Sequence, residues 1–257
     1  SRACEHWSIV VADCQRELCT STRVARNEKV TVLLDKVKAL DTRDSCSKGL
    51  YDALFDWLVE KINTTTDFKN SDEAKTGARS IAHWIGLLDI FGFEDFVHNS
   101  FEQICINLAN ETLQNHYNNY IFTRDMEECK AEGVDVTDIK CPDNKPCLDM
   151  ISAKGGIMSL LDEECMLGKA TDLTFLDKIS DKFKCKDKNA VKGAVPGATG
   201  PVCFFEQPRL AKVPSFIIHH YAGSVTYIVE GFLEKNRDTL KDAFKACLCA
   251  SEDNFVK

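Results

Sequence analysis

The chain has 257 residues and a formal net charge of −8, from 40 acidic and 32 basic residues. Hydrophobic residues make up 44% of it and charged residues 28%, which is typical of a globular protein and excludes a collagen-like, low-complexity or wholly disordered chain. No stretch approaches the ~18 uncharged apolar residues of a membrane-spanning helix. The acidic balance makes nucleic acid a poor first partner, although a local basic loop can still bind an acidic partner.

The first half of the chain alternates helical and extended patterns. Residues 1–20 carry apolar positions at helical spacing, and Thr22 to Val32 alternates with a period of two, which predicts an exposed hairpin-like loop. Apolar residues recur every three or four positions from Leu40 to Ile62 and predict a long amphipathic helix. The polar stretch from Asn63 to Lys75 predicts a loop, and the short apolar run from Ile81 to Ile90 favours a buried strand.

The second half contains the most regular helical pattern, which runs from Asn99 to about Glu128. A loop follows between Gly133 and Pro146, and Thr171 is a good N-cap for a later helix. The segment from Lys182 to Gly200 is loop-like and holds five lysines before residue 193. Further helices are predicted over residues 148–151, 157–165 and 172–183, and a β-hairpin over residues 216–220 and 225–229.

Thirteen cysteines are a high and odd number for a chain of this length. They form no Cys-x-x-Cys pair, and no His follows them at zinc-finger spacing. Several lie within apolar periodic segments, as Cys105 does in FEQICINLAN, where a thiol packs like a small apolar side chain. We therefore expect reduced, mostly buried cysteines of a cytosolic protein rather than a disulfide framework or a metal site.

The segment from Leu87 to Glu94 reads LLDIFGFE. An apolar strand that ends in Asp89, with Gly92 three residues on, is how nucleotide-hydrolysing folds place a carboxylate near Mg²⁺ and a backbone N–H beside the terminal phosphate. Gly92 suits this task because the backbone can approach the phosphate without a Cβ in the way. Taken alone, the D-x-x-G pattern is a weak signal, and most such patterns belong to a strand that simply ends in a turn.

Residues 89–122 read DIFGFEDFVHNSFEQICINLANETLQNHYNNYIF and closely resemble the second switch and the relay helix of the myosin motor domain. Other segments are similar to that family in the same order: 50–63 (LYDALFDWLVEKIN), 157–172 (IMSLLDEECMLGKATD) and 219–238 (HHYAGSVTYIVEGFLEKNRD). The resemblance covers nearly the whole chain and is weakest at 182–212. It implies an α/β fold, a mainly helical fragment of the P-loop NTPase-like motor fold with a few strands of an incomplete central sheet.

The resemblance also implies a division into three parts. Residues 1–75 would belong to the upper actin-binding subdomain, 76–132 would form the switch II strand and relay helix, and 133–257 would belong to the lower actin-binding subdomain. In the complete motor the implied ligands are ATP and Mg²⁺, the latter reached by Asp89 through water. The implied nucleotide-binding residues are Asp89, Ile90, Phe91 and Gly92, and the implied catalytic residues are Gly92 and Glu94.

An actin filament is the partner that the resemblance implies. Arg23 is a candidate contact, and Glu28 stands where the family has an acid or a phosphorylatable Ser/Thr, so no phosphorylation would be needed there. Two loops around Gly155 and Met166 would supply an apolar contact. The five lysines at 182–192 would steer the acidic filament at low salt, although a run of lysines is more often simply a solvated surface. The complete set of implied contacts is Arg23, Glu28, Gly155, Gly156, Ile157, Met166, Leu167, Lys169, Lys184, Lys186 and Lys188.

Departures from the family lie in these loops. Lys154-Gly155-Gly156 stands where Pro-Met-Gly is common, and Leu167-Gly168 where Phe-Pro is common. These changes put the strength of the apolar actin contact in question.

Other parts of the motor have no counterpart here. No G-x-x-x-x-G-K-[ST] phosphate loop and no N-x-N-S-S-R first switch occur in the sequence, so the other half of the nucleotide site would lie outside this chain. The N-terminus lacks a starting Met and signal-peptide features, and we expect that the chain begins within a longer gene or has been processed.

Two functional hypotheses follow from these residues. The first is the central piece of a cytoplasmic myosin motor, an actin-activated ATPase of the actin cytoskeleton that meets light chains or calmodulin only through other regions. The second is a non-enzymatic, myosin-derived actin-binding module.

Overall fold

The computed structural model describes residues 2–25, 28–77, 83, 85–137, 139, 143–187, 189–193, 200–208, 210–237, 242–253 and 255–256. The chain divides into two units, one formed by Ser1–Gly86 with Asp238–Lys257 and the other by Leu87–Arg237. Both are mainly helical and contain a few short strands, so the predicted mixed α/β class is confirmed. Within the described ranges, every helix is too short or too polar to cross a membrane.

A hairpin follows two short helices in the first unit. The helices are α1 (Arg2–His6) and α2 (Val11–Cys19), and the strands are β1 (Thr20–Ala25) and β2 (Glu28–Leu33). The strands pair antiparallel from Thr20 opposite Leu33 to Ala25 opposite Glu28. Both strands contain threonine and valine, which favour the extended backbone, and the predicted hairpin is confirmed.

Helix α3 (Lys36–Thr66) is longer than the sequence predicts because it has its own start signal. The Asp35 carboxylate accepts a hydrogen bond from the Lys38 N–H at 2.9 Å, as an N-cap does. The loop predicted over residues 63–75 is wrong at both ends. The helix continues to Thr66, and then a 3₁₀ turn (Phe68–Asn70) and helix α4 (Asp72–Lys75) follow.

The apolar stripe of α3 is only partly covered by other described residues, among them Phe255, whose ring meets the Trp57 ring edge-on at a centroid distance of 5.1 Å. Leu54, Trp57, Leu58 and Ile62 are between 39% and 59% exposed. The core of this unit instead gathers small thiols and apolar side chains from α1, α2, α3 and α11 (Asp242–Cys249). Its buried members are Cys4, Ile9, Cys14, Cys46, Phe244 and Leu248.

The described cysteines are all free thiols, as predicted. Their predicted burial holds only in part, because five are buried and others, including Cys105, are exposed. Cys105 lies beside Ile104 in the sequence, and this one-residue step turns its side chain away from the buried face of the helix. Cys141 lies outside the described residues.

The second unit packs helices against a small antiparallel sheet. Its helices are α5 (Phe101–Tyr117), α6 (Thr123–Ala131), α7 (Lys145–Ser152), α8 (Ile157–Met166), α9 (Asp172–Phe183) and α10 (Phe232–Asn236). Its strands are β3 (Val191–Lys192), β4 (Val202–Cys203), β5 (Phe205–Glu206), β6 (Ser215–His219) and β7 (Ser224–Ile228). Strands β5, β6 and β7 form one antiparallel sheet in that order, and β3 pairs parallel with β4. The predicted helices and the β6–β7 hairpin are confirmed.

Helices α5 and α6 form one continuous helical run because a π-helical turn (Asn118–Phe122) joins them. The run therefore extends from Phe101 to Ala131, slightly beyond the predicted segment. The α5 residues that are completely buried are Ile104, Asn107 and Glu111, and their spacing of three and four places them on one face. Two of these three residues are polar, so this face must bury hydrogen-bonding groups together with apolar surface.

The predicted buried strand over Ile81 to Ile90 is wrong for the residues that the structure describes. Residues 83 and 85–90 have no regular structure, and Leu87 and Leu88 are 95% and 72% exposed. A strand is stabilised by pairing with a neighbour, and no strand in the described ranges pairs with this segment. Residues 81, 82 and 84 lie outside the described residues.

A glycine substitution tests the tight turn before α8. A Cβ at Gly156 would lie 2.8–2.9 Å from the backbone carbonyl oxygens of Met150, Ile151 and Ala153. We expect Gly156→Ala to lower the free energy of unfolding by about 1–3 kcal/mol, because the backbone has to move. Urea denaturation followed by circular dichroism measures this.

Gly168→Ala is the matched control, because no atom lies within 4 Å of its Cβ position. Equal stability of the two variants would contradict the predicted steric conflict at Gly156.

Candidate functional site

The segment that the sequence assigns to nucleotide begins in an open stretch of backbone. Asp89, Ile90 and Phe91 are exposed, Phe91 by 72%. Gly92 is exposed too, and no atom lies within 4 Å of the position of a Cβ there. The Gly92 backbone is therefore accessible to a ligand from solvent.

The segment becomes anchored immediately after Gly92. Phe93 is half-buried, and its ring meets the rings of His220 and Tyr221 edge-on at centroid distances of 5.4 and 5.9 Å. The Glu94 side chain is half-buried as well, and its Oε2 accepts a hydrogen bond from Gln103 Nε2 at 3.3 Å. Because this contact is long and involves one oxygen, the Glu94 carboxylate keeps acceptor capacity for a further donor.

Asn107 of α5 clamps the Glu94 backbone. The Glu94 N–H donates to Asn107 Oδ1 at 2.8 Å, and Asn107 Nδ2 donates to the Glu94 carbonyl oxygen at 2.8 Å. Asn107 is completely buried, so both bonds are shielded from water. These two bonds fix the position of Glu94 relative to α5.

A second α5 asparagine holds the segment on the other side of Gly92. Asn110 Nδ2 donates to the Phe91 carbonyl oxygen at 3.0 Å and also to the Ile106 carbonyl oxygen at 2.9 Å. The chain is thus tied to one helix at Phe91 and at Glu94, while Gly92 between them stays free. Any displacement of this backbone acts directly on α5.

Asn99 connects the end of the segment to the sheet. Its Oδ1 accepts from the Phe96 N–H at 2.8 Å, and its Nδ2 donates to the Thr226 carbonyl oxygen of β7 at 3.1 Å. Its own carbonyl oxygen accepts from the Ile228 N–H at 2.9 Å. The turn that precedes α5 is therefore fixed against β7.

A buried polar network lies beneath this segment. Glu111 Oε2 lies 2.9 Å from His220 Nδ1, His220 Nε2 lies 2.8 Å from the Tyr227 hydroxyl, and Asn107 Nδ2 donates to that hydroxyl at 2.9 Å. The Glu111 and His220 side chains are completely buried. Burial also raises the pKa of the Tyr227 hydroxyl, which stays protonated.

Glu111, Cys147 and His220 bring three potential metal-ligand atoms within 4.8 Å of one another. The Glu111 carboxylate and the His220 ring are already hydrogen-bonded to each other, and the Cys147 thiol lies 3.7 Å from the His219 carbonyl oxygen. Burial raises the pKa of Cys147, so its sulfur carries a proton rather than the charge that a metal ligand needs. Hydrogen bonds within the protein therefore satisfy the polar atoms of Glu111, Cys147 and His220.

The sequence patterns alone predict no role for five residues of this site: Asn107, Asn110, Glu111, His220 and Tyr227. One signal for them is present in the sequence. Asn107 and Glu111 fall at helical spacing on the same face as Ile104, and polar residues on a buried face need partners. The partners His220 and Tyr227 lie more than a hundred residues away, and local patterns cannot identify them.

The predicted apolar surface is only partly exposed. Met166 and Leu167 are 86% and 53% exposed, and Lys169 is exposed, as a contact with a partner requires. Ile157, in contrast, is completely buried in the core of the second unit, so it cannot present its side chain to a partner. The burial of Ile157 therefore corrects the predicted set of actin contacts.

The turn next to this surface is held by a lysine. Gly155 has a φ of +78°, a conformation that glycine adopts without strain, and its carbonyl oxygen accepts from Lys182 Nζ at 2.7 Å. Gly156 is buried and is the N-cap residue of α8. The two glycines therefore shape the turn, and the burial of Gly156 removes it, like Ile157, from the predicted contact set, whereas Gly155 stays partly exposed.

The remaining predicted contacts are distributed over both units. Lys184 and Lys186 are exposed, whereas Lys188 lies outside the described residues. Arg23 lies opposite Val30 and Glu28 opposite Ala25 in the β1–β2 hairpin, where the structure describes the backbone.

The whole chain, residues 1–257, matches the family model for the myosin head (motor domain). It is 42% identical over 240 residues to Myosin-8 of Arabidopsis thaliana, covering 93% of this chain and 14% of that protein. It is 40% identical over 254 residues to Myosin-2 of Saccharomyces uvarum, covering 99% and 15%. With Myosin-I heavy chain of Dictyostelium discoideum it shares 40% over 243 residues, covering 93% and 9%. The chain thus spans between 9% and 15% of these relatives.

Amide hydrogen exchange tests the clamp on Glu94. Asn107→Ala removes the acceptor of the Glu94 N–H, and we expect the Glu94 amide to exchange at least about fivefold faster, because loss of a buried hydrogen bond favours local opening by roughly 1–3 kcal/mol. Asn110→Ala is the control, since Asn110 bonds only the Phe91 carbonyl oxygen within this segment. Unchanged protection of Glu94 in Asn107→Ala would refute the clamp.

Proposed function

Since the chain belongs to the myosin head (motor domain) family, we propose that it is the part of an actin-activated ATPase that senses the terminal phosphate of ATP. The observation that carries the proposal is the pair of asparagine contacts from α5 to Phe91 and Glu94, on either side of a free Gly92. A helix tied to the backbone on both sides of a glycine responds to whatever binds that glycine.

The nucleotide contacts follow from the chemistry of the exposed segment. Gly92 would donate its N–H to the γ-phosphate, and no neighbouring side chain hinders that approach. Asp89 would act on Mg²⁺ through water, and its exposed carboxylate suits such an outer position. Glu94 would accept from an arginine of the first switch outside this chain and help to enclose the attacking water. ATP with Mg²⁺ supplies the phosphoryl group whose transfer these residues assist.

Helix α5 would carry the change away from the nucleotide. When Gly92 moves toward the phosphate, Phe91 and Glu94 move with it. The hydrogen bonds from Asn110 and Asn107 to these two residues would then displace the helix. A helix is stiff along its axis, so a small shift at one end becomes a displacement at the other. The continuous helical run to Ala131 has the length for this task.

An actin filament is the proposed partner, which makes this a cytoskeletal protein. Exposed Met166 and Leu167 would provide the apolar part of the contact. Lys169, Lys184 and Lys186 would provide the basic part and attract an acidic filament. The non-enzymatic module is the less favoured alternative, since it gives the Asp89–Glu94 segment no ligand.

Hydrolysis in the complete motor tests the role of Glu94. We expect Glu94→Gln to slow single-turnover ATP hydrolysis by about 10²-fold or more, because the variant loses the charge that pairs with the first switch. Glu132→Gln, an equal charge change at an exposed residue, serves as the control. The 257-residue chain by itself should show no ATPase above background. Wild-type hydrolysis by the Glu94→Gln motor would contradict the assignment.

Salt dependence tests the lysine contact. In co-sedimentation of the nucleotide-free motor with actin, we expect affinity to fall by roughly threefold or more between low and physiological ionic strength, because salt screens exposed charges. Lys184→Gln with Lys186→Gln should flatten this dependence. Lys130→Gln with Lys245→Gln changes the net charge equally and should not. Identical salt slopes for both double variants would rule out the lysine contact.

A further inference from the structure

We propose that Glu111, His220 and Tyr227 form a positioning chain that holds Asn107, and through it the Glu94 backbone, in the arrangement that ATP hydrolysis requires. The inference rests on the proposed function for its role in hydrolysis. Its structural part, that these three residues control the position of Glu94, stands on the hydrogen bonds alone. None of the three would touch the nucleotide.

The direction of every hydrogen bond can be assigned from Glu94 inward. The Glu94 N–H donates, so the Asn107 atom that faces it must be the amide oxygen. The other Asn107 atom is then the NH₂ group, which donates both to the Glu94 carbonyl oxygen and to the Tyr227 oxygen. Because the Tyr227 oxygen accepts this bond, its own proton is free to point elsewhere.

That proton points to His220. The Tyr227 hydroxyl lies 2.8 Å from His220 Nε2, and donation to this nitrogen satisfies both groups. With Nε2 as the acceptor, the ring N–H is on Nδ1 and donates to Glu111 Oε2 at 2.9 Å. The tautomer of His220 is therefore set by its two neighbours, and the donors of the chain all point toward Glu111.

Glu111 is fixed by a separate set of donors. Asn144 Nδ2 donates to Glu111 Oε1 at 2.7 Å and to its carbonyl oxygen at 2.9 Å, and the Tyr221 N–H donates to Oε2 at 3.3 Å. Asn144 in turn accepts from Asn115 at 3.1 Å. The Glu111 carboxylate therefore stays in place, and the positioning chain has a rigid end opposite Glu94.

Burial makes the chain sensitive to displacement. Asn107, Glu111 and Tyr227 have no exposed surface, and only 4% of His220 is exposed. Water cannot replace a broken bond in such a place, so a shift of Glu94 that pulls Asn107 away leaves a buried hydroxyl without its donor. The chain consequently favours one position of Glu94 over intermediate ones.

Tyr227→Phe in the complete motor tests this, because it removes the hydroxyl and keeps the ring against Phe216. We expect single-turnover ATP hydrolysis to slow on the order of tenfold, with KM for ATP changed less than about twofold, since misplacement of Glu94 affects the chemical step. The Glu94 amide should also exchange faster. Ile218→Val, an equally buried change on β6, should do neither.

A double variant distinguishes a chain from two separate structural effects. If Tyr227 and His220 act in series, His220→Gln with Tyr227→Phe should slow hydrolysis no more than the worse single variant. The proposal would be overturned if the effects of the two substitutions on the hydrolysis rate multiplied. It would also be overturned if the Glu94 amide of Tyr227→Phe exchanged hydrogen at the wild-type rate.

The outcome also separates this inference from the proposed function. A wild-type motor without ATPase activity would refute the proposed function. Amide hydrogen exchange of Glu94 would still show whether the positioning chain holds Glu94 in place.

Discussion

The second unit depends on one buried carboxylate, that of Glu111. A carboxylate without solvent is tolerated only when hydrogen-bond donors surround it, and here three donors come from two places in the sequence: Asn144, and the neighbouring residues His220 and Tyr221. Satisfying one side chain of α5 therefore brings together the segment before α7 and the turn between β6 and β7. The apolar core packs around this arrangement, and its polar requirement selects which of several compact packings is acceptable.

The same requirement explains why the hydrogen-bonded asparagines occupy α5. The inner face of α5 carries Ile104, Asn107 and Glu111, and the amide of Asn107 is satisfied by the Glu94 backbone and the Tyr227 hydroxyl. A purely apolar face would pack against β6 and β7 equally well and would leave the Glu94 backbone without a partner. The polar residues on this face thus connect packing in the core to the position of an exposed loop.

Sequence patterns predicted the elements whose stabilising contacts are local. The period of apolar residues gave α3, the α5–α6 run and α7 to α9, and the β6–β7 hairpin followed from two β-rich runs around a turn. The interpretation failed for the apolar run that ends at Ile90, because an apolar pattern states only that a segment favours burial. Whether a neighbouring strand or helix covers it depends on the rest of the fold, and in the described ranges Leu87 and Leu88 remain exposed.

The prediction of candidate site residues has the same limit, because a local pattern does not show which side chains the fold buries. The motif around Gly92 can be identified in the sequence because glycine and aspartate have a chemical use at fixed spacing, and the structure leaves that glycine accessible. Ile157 and Met166 both belong to α8 and both are apolar, yet one is buried and the other is 86% exposed. Packing of α9 and α10 against α8 decides between them, and this is a tertiary property.

The geometry also explains where the helical run can yield. Contacts to Phe91, Glu94 and the buried carboxylate hold α5 along its first three turns. The π-helical turn at Asn118–Phe122 follows directly, and its wider backbone interrupts the regular hydrogen-bond pattern of the α-helix. In the proposed function, a displacement that begins at Gly92 meets the anchored part of the helical run first and this interrupted part second. We therefore expect bending at the π-helical turn rather than within α5.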